Sequence, residues 1–378
     1  VADAEGRDAP SWRERARSFA VAEVEPLAST IDRDDRLPEE LIRSMASSGF
    51  FGLGLPEAWG GSGGDARATV ATLEELSRAS AAVGVTLAVH LAVCAAPILQ
   101  WGSDRQKERF LRPLARGALL GAFGLTEPNA GSDAAHLESR YRRTADGFLL
   151  NGTKMFTTNA FSAGLILVFA TSDPTLGHSG ISAFVVPPGT PGFSVAQRLD
   201  KLGLRGSETT ELVMRDVPLG AENLLGPEGA GLRVALGALT AGRVGIAACA
   251  LGVAQAAFDE MVRQVRARDE AWKRSLLARA FADLTSARSL IERAAALKDA
   301  GAPFVAEASV AKLVASRAAV SIASSGVDVA GPEGVRSGAT PERLLRDARV
   351  FPIVEGTTEI QELILARELL EPDRGPNV

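Results

Sequence analysis

At 378 residues, and with roughly 150 residues to a typical domain, the chain should divide into about two to three packed units. Forty-one Lys and Arg against 46 Asp and Glu leave a net charge of −5, so there is no basic footprint for duplex nucleic acid and no such partner is expected. A hydrophobic fraction of 46% with 23% charged residues excludes disorder as a description of the whole chain.

The N-terminal VADAEGRDAPSWRERARSFA carries too many acids for a transit peptide and has no apolar core for a secretory signal, so the cytoplasm is the expected compartment. From about Pro10 to Gly117, apolar residues return every three or four positions, which predicts helices over most of the segment. The longest apolar run, Val83 to Leu99, is interrupted by His90, and on uninterrupted length no membrane span is expected. His90 and Cys94 lie four apart and could share a helix face as metal ligands, but their apolar neighbours favour a core histidine, and no metal site is expected. In PEAWGGSGGDA, Gly61, Gly63 and Ala66 match a dinucleotide-binding spacing on paper. That fingerprint needs a preceding buried strand, whereas helical patterns flank this segment, so a loop is expected. Ser103 and Gln106 form a capping box and predict a helix start.

After Gly117 the pattern changes. Asp146-Gly147 and Asn151-Gly152 are strong hairpin signals, and LILVFATSD, ISAFVVPPG and TTELVMRDVPL read as strands, giving an all-β segment from Ala118 to about Leu219. From about Glu228 helical periodicity returns and persists to ILARELL, with many small residues that let helices approach closely, either within a bundle or across a subunit interface. The final EPDRGPNV reads as a frayed tail. The layout is multidomain α+β: a helical domain over residues 1–117, a β-sheet or barrel-like domain over 118–222 and a helical bundle over 223–378.

Among sites for chemistry, the sequence has no G-x-S-x-G elbow, no Gly-rich Lys phosphate loop and no H-E-x-x-H. Cys94 and Cys249 are isolated thiols, and three histidines are too few for a histidine metal cage. Three segments are informative. GAFGLTEPNAGSD (121–133) offers the hydroxyls of Thr126 and Ser132 and glycine-rich backbone to a polar ligand. NGTKMFTTN (151–159) puts Phe156 and Thr158 on one face of a strand by simple alternation. FPIVEGTTEIQELILARELL places Glu355 between an apolar run and a helix start. Each also has a plain structural reading, as a loop, a core phenylalanine and a helix-terminal acid.

Taken together, LTEPNAGSD, LLNGTKMFTTN, KLGLRGSETTELVMRDVPLGAENLLGPEGAG and LLRDARVFPIVEGTTEIQ stand in the order and spacing of the acyl-CoA dehydrogenase family, which the chain resembles over essentially its whole length. The resemblance implies an N-terminal helical domain, a middle β domain and a C-terminal four-helix bundle. It also implies an FAD-dependent oxidoreductase of lipid metabolism that introduces a Cα–Cβ double bond into an acyl thioester. Glu355 would be the base that removes the α-proton, and the β-hydride would pass to flavin N5. Phe123, Leu125, Thr126, Ser132, Phe156, Thr157, Thr158, Asp328, Gly356, Thr357 and Thr358 would bind FAD, with Phe156 over the ring system where many relatives carry Trp. Ser132, Thr240, Arg243 and Glu355 would meet the substrate. Some relatives carry the base on the helix that holds Arg243, but the matching position here is Gly242, which leaves Glu355 without a rival.

Three departures stand out. RARDEAWKRSLLARAFADL is shorter than the family segment that reaches FAD in a neighbouring subunit and lacks its Phe-Gly; Arg266, Arg268 and Arg274 are the possible substitutes. Asp328 stands where relatives have Gln, and a carboxylate near a pyrophosphate is unfavourable. Val354 stands where many have Tyr, widening the pocket. The resemblance further implies an electron-transfer flavoprotein as acceptor and a homodimer or homotetramer. An acyl carrier protein thioester is the alternative substrate, and a flavin-free binding protein is the alternative from another functional class.

Overall fold

The computed structural model describes residues 10–370, so the EPDRGPNV tail lies outside the described residues. The N-terminal part is helical: α1 (Trp12–Phe19), α2 (Ala28–Asp34), α3 (Glu39–Ser47), α4 (Ala66–Ala79), α5 (Ala81–Ala88), α6 (Ala96–Trp101), α7 (Asp104–Gln106) and α8 (Arg112–Ala115). The capping box forms as expected: the Ser103 hydroxyl accepts from the Gln106 N–H (3.3 Å) and Gln106 Oε1 accepts from the Ser103 N–H (2.9 Å). The Gln106 amide then donates to the carbonyls of Glu222 and Leu224, fastening this helix start to the far end of the sheet. The Gly61-x-Gly63 segment is a loop ahead of α4, bridged to Leu53 at Gly63 and pinned where the Ser62 N–H donates to the Gly52 carbonyl (2.8 Å) and the Gly63 N–H to the Leu55 carbonyl (3.1 Å).

The middle part is one mixed sheet of β1 (Gly121–Gly124), β2 (Arg140–Thr144), β3 (Gly147–Thr158), β4 (Leu165–Thr171), β5 (Ile181–Val186), β6 (Phe193–Arg198), β7 (Thr209–Gly220) and β8 (Leu224–Leu225). Its order is β6-β7-β3-β2-β4-β5-β8, with β1 parallel to β4. The unbroken apolar run of β4 follows from burial on both faces. Leu165, Leu167 and Phe169 enter one core, shared with the helices, while Ile166, Val168 and Ala170 enter the other, internal to the sheet.

The two hairpin signals part company. Asp146-Gly147 turns β2 into β3, where Thr144 pairs with Gly147. Asn151-Gly152 does not turn at all; it lies inside β3, and the β3–β7 register shifts between Leu150 and Gly152. Gly152 has a φ of 146°, and a Cβ there would fall 2.2 Å from Ser139 Oγ, so the glycine serves a bulge and a close approach.

The C-terminal part comprises α9 (Gly231–Ala267), α10 (Ala271–Asp299), α11 (Val305–Ala330), α12 (Thr340–Ala348) and α13 (Thr358–Leu370). Small residues set the packing distance. A Cβ on Gly252 of α9 would meet the Glu74 carbonyl of α4 at 2.4 Å. Helical stretches Ala81–Trp101, Gly231–Ala267 and Val305–Val335 reach mean hydropathies of 2.1, 1.7 and 1.2, long and apolar enough to cross a membrane. This corrects the expectation drawn from uninterrupted runs, because a window average tolerates an isolated polar residue such as His90. Packing accounts for much of that apolarity: 83% and 72% of the first two windows are buried within the protein, and half of the third.

Candidate active site

His90 and Cys94 resolve as core residues. Gly121 N–H donates to His90 Nδ1 (3.0 Å), which leaves Nε2 as the donor to the Phe51 carbonyl (3.2 Å), and burial lowers the imidazole to about 4. Cys94 and Cys249 are free and buried, both raised to about 12 by the same desolvation. Cys249 lies in the helical core on α9, close to Ser77 of α4.

The expected site residues fall into two groups. The first is built on β1 and β3. Phe123 packs against Phe169 with ring centroids 5.0 Å apart, and Leu125 is buried just beyond the strand. Thr126 lies in the following turn, where its carbonyl accepts from the Met155 N–H at 2.8 Å. Lys154, fully buried on β3, donates to the Leu125 carbonyl (3.2 Å) and pairs with the buried Glu127. Glu127 in turn accepts from the backbone N–H groups of Glu138 (2.6 Å) and Ser139 (3.1 Å). One buried ion pair thus clips the LTEP turn to the NGTK strand. Ser132 sits further along the same loop and is exposed.

Simple alternation fails along FTT. The β3–β7 register shifts between Lys154 and Thr157, and Phe156 adopts a φ of 55°. The ladder skips Met155 and Phe156, and the Phe156 ring is left 62% exposed. Thr157 is buried with its hydroxyl unpartnered, while Thr158 is part-buried and pairs with Thr209. Asn159 closes the strand by donating to the carbonyls of Thr86 (3.0 Å) and Gly121 (3.1 Å), which ties β3 to α5 and β1.

The second group is built on α9, α11 and the turn before α13. Glu355 has a φ of 51° and Gly356 a φ of 95°, two left-handed residues in succession. As a whole Glu355 is only part-buried, yet both carboxylate oxygens are sealed from solvent and without a hydrogen-bond partner. Desolvation raises the carboxyl to about 7, opposed by the positive charges of Arg243 and Lys312. Gly242 makes the space: a Cβ there would lie 2.0 Å from Glu355 Oε2. Arg243 is 5% exposed with its Nε unpartnered, and burial lowers its pKa against the pull of Glu355. The apolar surroundings expected from FPIV are only partly present. Phe351 is fully buried and Val354 part-buried, but Ile353 turns outward at 64% exposure because the turn reverses there.

Gly356, Thr357 and Thr358 form the entry to α13. The Gly356 carbonyl accepts from Lys312 Nζ (2.7 Å) and Gln361 Nε2 (3.0 Å), and the Thr357 hydroxyl caps the Ile360 N–H (3.4 Å). Thr240 bonds back to the Leu236 carbonyl of its own helix at 2.9 Å. Asp328 stands apart: it is exposed at the C-terminal end of α11, 16 residues from Lys312, or about 24 Å along the helix. Arg268 and Arg274 are committed to ion pairs with Glu270 and Asp269.

Lys154, Glu127, Lys312 and Gln361 escape motif reading. Lys154 shares strand parity with the buried Phe148 and Leu150, and Lys312 is the one cation in the Ala-rich AEASVAKLVA; a charged residue at a core-facing position is the available signal.

Helices, one mixed sheet and a helical bundle in chain order, with a sealed carboxylate just before the last helix, define a class, and comparison with known proteins agrees. The chain matches the N-terminal domain of acyl-CoA dehydrogenases over residues 7–118, the middle domain over 122–217 and the C-terminal domain over 229–370. It is 40% identical over 366 residues to the short-chain specific acyl-CoA dehydrogenase of Clostridium acetobutylicum, covering 94% of this chain and 96% of that protein. Its fold is similar to that of butyryl-CoA dehydrogenase from Megasphaera elsdenii (TM-score 0.93, 38% identity, 95% and 97% of the two chains). It is also similar to a chain in a structure described for the electron transferring flavoprotein of Acidaminococcus fermentans (TM-score 0.94, 35% identity, 95% and 97% covered). A further neighbour is the prolyl acyl carrier protein oxidase AnaB (TM-score 0.90, 28% identity, 95% and 97% covered). The chain belongs to the acyl-CoA dehydrogenase family, and it is an acyl-CoA dehydrogenase type of oxidoreductase.

Proposed function

We propose that the chain desaturates an acyl-CoA between Cα and Cβ, with Glu355 as the base and FAD as the acceptor. The observation that carries this reading is the Glu355 carboxylate, sealed, unpartnered and raised to about 7 by burial. A thioester α-proton is weakly acidic, and a desolvated carboxylate with raised proton affinity suits its removal. Arg243 and Lys312 keep that affinity from rising until the base is protonated at working pH. Both carboxylate oxygens are sealed, one of them packed close over Gly242, which restricts water there.

The residues of the first group fit a flavin. Phe156 offers an open aromatic face on a bulge that frees its backbone from the ladder, and the hydroxyls of Thr126, Thr158 and Ser132 would supply polar contacts to the ring system. When bound, FAD would supply a two-electron acceptor for the β-hydride. Phe123, Leu125 and Thr157 would support that surface from below, and Gly356, Thr357 and Thr358 would meet the nucleotide end. Ser132, Thr240 and Arg243 would orient the thioester. Asp328, distant within the chain, would reach a cofactor only across a subunit boundary, and exposed Ile353, Leu363 and Leu369 would help form the homodimer or homotetramer.

The test is anaerobic bleaching of the purified, yellow protein by butyryl-CoA. Wild type should bleach, and Glu355→Gln should retain flavin yet remain oxidised. Full reduction of the Gln variant removes Glu355 from the role, and a colourless protein that cannot be loaded with FAD returns the chain to a binding protein. An electron-transfer flavoprotein is the proposed acceptor, in keeping with the Acidaminococcus neighbour. A second reading, a carrier-protein thioester, draws on the likeness to AnaB. Turnover of one acyl group on CoA and on a carrier protein separates the two.

A further inference from the structure

We infer that Lys312 is a positioning residue for Glu355: its buried ammonium holds the Gly356 carbonyl, and with it the left-handed turn that aims the carboxylate at Gly242, while presenting a positive charge to that carboxylate. The inference rests on the reading of Glu355 as the base.

Lys312 is fully buried on α11, where an ammonium needs a strong compensating partner. It donates to the Gly356 carbonyl at 2.7 Å, and Gln361 donates to the same oxygen at 3.0 Å. A non-glycine residue at a φ of 51°, such as Glu355, persists only where its surroundings over-determine it. Here the carbonyl just after it is gripped by two donors, and the Thr358 N–H returns to the Pro352 carbonyl at 2.8 Å. Lys312 is therefore the side chain through which α11 fixes the base.

The charge acts on the same atoms. Glu355 is faced by Arg243 and the Cys249 thiol from α9 and by Lys312 from α11; Lys312 is itself faced by Arg243 and by Glu359 of α13, and Arg243 by Arg367 of α13. Burial lowers Lys312 to about 8 and raises Glu355 to about 7, so the two titrate in neighbouring ranges and the ammonium form is the one that favours the carboxylate. Removing that charge makes the carboxylate form harder to reach.

The experiment uses the purified flavoprotein and two readouts. Infrared titration of the Glu355 carboxyl, taken as the difference from Glu355→Gln, reports ionisation without turnover; bleaching by butyryl-CoA reports chemistry. Lys312→Gln keeps a donor and loses the charge. Its carboxyl midpoint should rise by about one pH unit, and bleaching at about pH 6 should fall roughly tenfold and recover above about pH 8. Lys312→Met loses both donor and charge and should bleach slowly at every pH. Lys312→Arg should hold the midpoint near that of wild type. If Lys312→Met does not fold, the Gln and Arg variants decide. A midpoint that stays fixed in folded Lys312→Gln overturns the inference. A midpoint that moves while Glu355→Gln still bleaches fully retires the base assignment and leaves the coupling standing.

Discussion

At the scale of single residues, the site shows up as a stability cost. Glu355 has a folded pKa near 7, above the usual value of 4.5. A carboxyl whose pKa is raised on folding contributes stability that is fully present below about pH 4.5 and lost as pH climbs through about 7. Glu355→Gln should therefore melt higher than wild type at about pH 8, by an amount worth about 3 kcal/mol, and the difference should vanish near pH 4. Paired thermal melts across pH check this; a constant offset would mean that the carboxyl is not desolvated. Bleaching should follow the opposite course, rising with pH through about 7 as the carboxylate forms. The Lys154–Glu127 pair is a buried ion pair that clips the LTEP turn to β3. Lys154→Met strands an acid at 3% exposure and should cost about 3 kcal/mol with lowered flavin content, and adding Glu127→Gln should recover part of the stability in denaturant unfolding.

At the scale of elements, the strand β3 decides where Phe156, the proposed flavin cover, points. Gly152→Val places a branched side chain against Ser139 and should unfold or weaken the middle sheet, read as a lower melting temperature with FAD added in excess. The same strand marks the limit of what the sequence discloses. Helix and strand types are legible because periodicity records burial, and the Ser103–Gln106 start is legible because capping is local. Asn151-Gly152 and Phe156 defeat pattern reading because a bulge changes register without leaving a compositional trace, and its cause lies on other strands, in Ser139 and the β7 ladder. Glu355 and Gly242, 113 positions apart, each stand out in the sequence, but that one makes room for the other is a fact of helix placement alone.

At the scale of the whole molecule, loops join what the sequence separates. Arg346 of α12 forms a double hydrogen bond with Asp32 (2.6 and 2.8 Å), and the neighbouring Asp347 accepts from the Leu204 N–H at 2.7 Å, so the helical ends and the sheet meet at one place. Arg346→Ala should weaken all three parts together. The helix α9 carries this further: Leu232, Val234 and Ala235 belong to the core shared with the sheet, and Ala238 onward to a core built with α1, α4 and α11. Three stretches that align separately with family domains therefore have no seam along which one could melt first. Calorimetry should record a single cooperative transition, and an isolated 223–378 fragment should remain unfolded, its α4-facing side bare. A single transition would make what looks modular along the chain thermodynamically indivisible.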